Sequence, residues 1–122
     1  MASTFNPVGE NLLVVGSNDS DMAAAGNGLV RIGGGFLLAE DGKVVEKLEL
    51  PLAGLASDRP GAEVREGLLR MHRVLADRGC KLKAPFLTLG FMAMPYGIPS
   101  YKISEYGLVD VDKLKLEEVV VE

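Results

Sequence analysis

The stretch from Asn11 to Val44, NLLVVGSNDSDMAAAGNGLVRIGGGFLLAEDGKV, constrains the fold more than any other part of the chain, because start and stop signals for three successive elements fall in register within it. Leu12 to Val15 is a short aliphatic run closed by Gly16, the pattern of a buried strand. Asn18 suits a helix N-cap, Asp21 stands three positions later as in a capping box, and Asp19 adds negative charge where the helix dipole is positive. Met22, Ala25, Leu29 and Ile32 then recur at helical spacing on one face. Gly33, Gly34 and Gly35 end that helix, since glycine takes left-handed backbone at little cost and lowers helix propensity. Extended segments are expected at Phe36 to Ala39 and Val44 to Leu50, joined through Glu40-Asp41-Gly42-Lys43. An Asp-Gly pair between apolar runs is a strong hairpin signal, because both residues tolerate positive φ.

After Pro51 the composition becomes that of a loop, in which Ser57 or Asp58 is expected to cap a second helix with Pro60 in its first turn. Val64, Leu68, Met71 and Leu75 form the inward stripe of that helix, and Gly79 stands where a left-handed C-terminal cap belongs. Phe86 to Met94 is apolar and reads as a strand ending at Pro95. Tyr96 to Tyr106 reads as an ordered loop, long enough to hint at a site or an interface. Leu108 to Val111 and Leu114 to Val121 are expected to supply closing strands. Together these elements predict an α/β (α+β) single domain over 1–122: a mixed sheet of about five or six strands, with two or three helices packed on one face. Residues 1–10 are expected to be a flexible N-terminal segment.

Bulk properties narrow the function. A chain of 122 residues that is 48% hydrophobic fits one core, burying roughly two-thirds of its unfolded surface. The net charge of −4 comes from acidic and basic residues interspersed along the chain, so no basic stripe offers itself to phosphates and nucleic acid is not an expected partner. One cysteine, Cys80, cannot form an internal disulfide, which points to a reducing cytoplasm. No apolar run approaches the roughly 20 residues of a membrane span. The one histidine, His72, sits beside an apolar helical stripe with no base, nucleophile or second ligand placed by sequence, and reads as a packing or surface residue. The Gly33-Gly35 run closes a helix rather than opening one, so it is not a phosphate cradle. Cys80 follows the negative end of the second helix, where thiolate formation is discouraged. Met71, Met92 and Met94 read as core.

Several motifs, in order, resemble the C-terminal domain of adenine deaminases, metal-dependent enzymes of the amidohydrolase superfamily. Gly16-Ser17-Asn18-Asp19-Ser20-Asp21-Met22 is similar to that family's Gly-Thr-Asn-Asp-x-Asp-Met. Asn27, Ile32-Gly33-Gly34-Gly35 and Glu40-Asp41-Gly42-Lys43-Val44 are similar to its Asn, Ile-Gly-Gly-Gly and Lys-Asp-Gly-Lys-Val. Leu50 to Asp58, Gly79-Cys80, Pro85 to Pro95 and Gly107 to Val111 extend the resemblance over nearly the whole chain. One departure stands out: where the family has Ser-His-Asp-Ser-His-Asn, this chain has Asn6-Pro7-Val8-Gly9-Glu10-Asn11, so that two histidines and an aspartate are replaced and Asn11 alone is kept.

The resemblance implies the following. Adenine deaminases convert adenine and water to hypoxanthine and ammonia on a (β/α)8 barrel that holds a divalent metal, such as Mn or Fe, through several His and Asp residues. This chain is too short for such a barrel and has one histidine, so no catalytic residue, metal ligand or cofactor of its own is expected, and whether it is itself an enzyme is left open. Asn11, Asn18, Asp19, Asp21, Asn27 and Asp58 are the ligand-binding residues that the resemblance suggests, although capping also accounts for Asn18, Asp19 and Asp21. Two roles follow: an accessory domain packed on an amidohydrolase barrel, in cis or in trans, or a stand-alone, non-catalytic module that binds a small ligand or forms a homodimer. Met1 and the replaced histidines favour a separately encoded relative. The expected docking or dimerisation face lies near Phe91 to Tyr101, and neither membrane nor nucleic acid is an expected partner.

Overall fold

A computed structural model describes residues 1–5, 12–94 and 99–119. Along the chain, β1 (Ala2–Ser3) and β2 (Leu13–Val14) precede α1 (Asp19–Ile32); β3 (Gly35–Glu40) and β4 (Lys43–Glu49) lead to α2 (Gly61–Asp77) and α3 (Pro85–Met92); β5 (Tyr101–Ser104), β6 (Gly107–Asp110) and β7 (Lys115–Glu117) follow. The α+β class holds, but the strands form two antiparallel sheets, β2-β1-β3-β4 and β5-β6-β7, rather than one mixed sheet. Short turns join β3 to β4 and β5 to β6, which makes antiparallel pairing the natural outcome.

The first helix and hairpin form as their signals require. Asn18 accepts a hydrogen bond from the Asp21 amide at 2.8 Å and donates to the Asp21 carboxylate at 2.9 Å, closing the capping box. At the other end Gly33 has φ 75°, with Gly33 N–H donating to Val30 O and Gly34 N–H to Leu29 O. Asp41 and Gly42 take φ 52° and 70° in the hairpin turn, the paired positive values that suit the twist of the flanking strands.

Helices cover both faces of the larger sheet, where the sequence had suggested one. Consecutive residues of β3 point to opposite faces. Phe36 and Leu38 therefore join Leu48, Leu50, Met71 and Phe86 beneath α2 and α3, while Leu37 joins Ala2, Ala25 and Leu29 beneath α1. A strand buried on both faces reads as a continuous apolar run, which is what Phe36-Leu37-Leu38 is.

Five local expectations are corrected. Residues 1–10 were expected to be flexible, yet Ala2 and Ser3 are buried and form β1 between β2 and β3; residues 6–10 lie outside the described residues. The N-cap of α2 is Pro60, whose carbonyl accepts from the Glu63 and Val64 amides, while Ser57 Oγ accepts from the Arg59 amide in the preceding turn. Phe86 to Met94 is not a strand but mostly α3. Pro85 at its first position presets a helical φ, and Thr88 donates through both its amide and its hydroxyl to Ala84 O at 2.9 Å. The supposed loop Tyr96 to Tyr106 contains β5; within it, residues 96–98 lie outside the described residues. The closing strands shorten to β6 and β7, and residues 120–122 also lie outside the described residues.

Candidate functional site

The polar residues singled out in the sequence do not converge on one site. Asn18, Asp19 and Asp21 share the first turn of α1, and Asp21 Oδ1 also accepts from the Gly42 amide at 2.7 Å, tying that helix end to the β3–β4 turn. The Gly42 amide foremost, then the Asn18 side chain, hold the Asp21 carboxyl below its ordinary pKa. Both carboxylate oxygens are thus committed to local structure. Asn27 is exposed on α1, about 13 Å from Asn18 by helical rise. Asp58 is exposed in the loop beyond the far end of β4, next to Arg59, which reaches Glu49 at 3.5 Å; β4 itself spans about 20 Å. Asn11 lies outside the described residues, as do the positions aligned with the replaced histidines.

Among the described residues, two of the concave features lie where sequence reading pointed to none. The first is a cleft of about 340 Å3 at the C-terminal end of α1, lined by Thr4, Val30, Gly33, Gly34, Gly54 and their neighbours. Its floor is a backbone junction: Thr4 Oγ1 accepts from the Gly35 amide at 2.7 Å and donates to Gly54 O at 2.8 Å. Gly34 has φ 111°, and a Cβ there would lie 2.6 Å from Gly54 Cα, so the two loops meet this closely only because Gly34 lacks a side chain; a Cβ on Gly54 would instead meet Thr4 Oγ1 at 2.8 Å.

The second is an apolar groove of about 290 Å3 between the larger sheet, α2 and α3. Phe5, Phe36 and Phe86 form an aromatic row along it, with centroids 5.8 Å and 4.5 Å apart, and His72 stacks on Phe86 at 6.3 Å. Such tilted pairs suit the ring quadrupole. Its residues come from positions 5, 36, 72 and 86, so no local motif could have revealed it.

The donor set does not fit the divalent metal implied by the resemblance. Among the described residues no group of three or more His, Cys, Asp or Glu side chains is arranged to hold a metal ion. His72 lies against Phe86, the Asp21 carboxylate accepts from Asn18 Nδ2 and the Gly42 amide, and the Asp110 carboxylate accepts from Lys113 Nζ at 2.7 Å, an interaction that depresses its pKa. Cys80 is half-buried just past α2, where its amide donates to Leu75 O in the helix cap. No helix among the described residues is long and apolar enough to cross a membrane.

The fold and these features define a small α+β domain in which Asn18 and Asp21 shape a cap and a turn, while the groove beneath α2 and α3 is apolar. Within that class, residues 1–115 match the adenine deaminase C-terminal domain, and the chain belongs to that family. It is 42% identical over 120 residues to an adenine deaminase of Moorella thermoacetica, covering 98% of this chain and 20% of the relative. It is 46% identical over 115 residues to the Brucella abortus adenine deaminase, covering 94% and 20%, and 45% identical over 106 residues to that of Methanococcoides burtonii, covering 87% and 18%. The chain thus spans about a fifth of the length of the curated relatives it matches.

Proposed function

We propose that this domain serves adenine deamination, adenine and water giving hypoxanthine and ammonia, as an accessory module seated on a metal-bearing amidohydrolase barrel. The observation that carries this reading is the family match over residues 1–115, with relatives named adenine deaminase of which this domain is about a fifth. A divalent metal would be held by the barrel and not by residues of this chain, and would supply the hydrolytic chemistry there. The residues of this chain bind and orient the barrel, in cis or in trans, and exclude water at its surface. The seat is the face near Phe91 to Tyr101, of which residues 95–98 lie outside the described residues; Leu87, Phe91 and Met92 on α3 and Tyr101 on β5 are exposed. Large exposed apolar side chains on one short helix are the kind of surface that marks an interaction site. Asn27 and Asp58, both exposed, are left as polar contacts elsewhere on the surface, and Asn18, Asp19 and Asp21 keep the end of α1 in shape. The compartment is the cytoplasm.

The test is a metal-supplemented adenine deamination assay on the purified chain, alone and mixed with a barrel protein from the same source, following hypoxanthine. Activity gained only in the mixture supports the accessory role. Activity from the chain alone overturns it, because the chain would then carry the chemistry itself. No effect in either arm also overturns it and favours a stand-alone ligand-binding or self-associating module, the reading to which the apolar groove lends weight.

A further inference from the structure

We infer that the outer edge of β7 is a self-recognition surface, on which a second copy of this chain pairs antiparallel to extend the three-stranded sheet to six strands. The inference does not rest on the deaminase reading. In the order β5-β6-β7 the last strand is an edge, and among the described residues nothing pairs with its outer side. An edge strand exposes unpaired backbone donors and acceptors, and lysine there normally discourages pairing between molecules.

Here the charges do the opposite. β7 reads Lys115-Leu116-Glu117. If two copies pair antiparallel about a twofold axis at Leu116, Lys115 of each faces Glu117 of the other, and the two leucines meet on the axis. Residues directly opposite in an antiparallel pair lie on one face, with Cβ atoms roughly 5 Å apart. Both cross-strand ion pairs therefore form on one face of the extended sheet and the apolar contact on the other. A register shifted by one residue would lose these matches and set each side chain against the wrong face.

The neighbouring surface agrees. Leu116 is 56% exposed, and Leu114 and Val119, which flank the strand, are 79% and 76% exposed. Val109 pairs with Leu116 across β6 and β7, so the twofold makes a continuous apolar stripe, Val109, Leu116, then the same two residues in the second copy. Within one copy Lys115 already approaches Glu117 at 2.7 Å. That pair is solvent-exposed and weak, so exchanging the two intramolecular pairs of two copies for two intermolecular ones costs little. The contact is isologous and closes after two copies. It is also small, so association is weak and concentration-dependent.

Sedimentation equilibrium on the full chain over micromolar to millimolar concentration, at low salt, tests the inference. The wild type is expected to enter a monomer-dimer equilibrium. Lys115→Glu sets like charges opposite one another twice per dimer and is expected to weaken association at least about tenfold, as is Glu117→Lys. The double variant Lys115→Glu with Glu117→Lys restores complementarity and is expected to restore the dimer. Circular dichroism of each single variant separates lost pairing from lost folding, and the double variant guards against a misreading of either. A wild type that stays monomeric throughout, a dimer indifferent to the single reversals, or a double variant no better than the singles overturns the inference.

Discussion

At Gly35 the backbone φ is 129°, and a Cβ built there would stand 2.0 Å from the carbonyl oxygen of Leu48. Two penalties coincide: a backbone conformation that L residues rarely adopt, and a collision with backbone that has no rotamer to retreat to. Gly33, two residues earlier, differs on the second count, because its φ is 75° and nothing lies within 4 Å of its would-be Cβ. Gly33→Ala should therefore cost about 1 kcal/mol, the usual price of a left-handed L residue. Gly35→Ala should cost more than about 3 kcal/mol, strain and clash together, and should pull Thr4 off the Gly35 amide. Urea unfolding midpoints of the two variants check the ordering; equal midpoints would mean that the β3–β4 hairpin shifts to admit the methyl group. The three glycines were legible as a helix stop, whereas the reason the third must be glycine was not, because Leu48 arrives from the next strand.

Among elements, α1 shows what a sequence can and cannot disclose. Cap, stripe and stop agreed on one helix, and the structure forms it over Asp19–Ile32. For α3 the signals did not agree: Phe86-Leu87-Thr88-Leu89-Gly90-Phe91-Met92 is apolar on nearly every side, so no polar face sets a period and a short run reads equally as strand. The deciding contacts are tertiary, with Phe86 buried against Phe36. β1 was illegible for a different reason, since two residues carry no periodicity and its pairing with Leu13-Val14 and Phe36-Leu37 is non-local. The start of α1 also sets a pH dependence. Asp21 binds its proton less tightly in the folded chain than in the unfolded one, chiefly through the Gly42 amide. Its contribution to stability is present above the ordinary Asp pKa of about 3.9 and fades as pH falls through the lowered native value. Glu40, Glu49 and Asp110 are depressed in the same direction by Arg78, Lys47 and Lys113. Asp21→Asn keeps an oxygen for the Gly42 amide but removes the titration. Urea midpoints taken from pH 5 down to about pH 2 should then fall less steeply than in the wild type; an unchanged slope would assign the acid sensitivity to the other three carboxylates.

At the scale of the whole molecule, the question is which surface is incomplete. The groove beneath α2 and α3 could not be read from sequence, because its aromatic row is assembled from distant positions; an exposed face near Phe91 was expected, but Met92, read from the sequence as core, is 42% exposed on α3, because an all-apolar run does not disclose which of its sides the fold covers. Burial separates two sorts of side chain on this one short helix. Phe86 is 3% exposed and belongs to the core, while Phe91 and Met92 are 37% and 42% exposed. Replacing the second pair by serine should leave the urea midpoint of the free domain nearly unchanged, within the ±0.5 kcal/mol typical of surface positions. If that face seats a barrel, the same double variant should weaken association with it by tenfold or more, since truncating exposed anchors at an interface centre commonly costs over 1 kcal/mol each. Titration calorimetry of the variant against the barrel, beside its unfolding curve, reads both quantities. Stability kept with affinity lost locates the seat on α3. Stability and affinity both kept moves the seat off this helix, and a large loss of stability would mean that Phe91 and Met92 already serve the core.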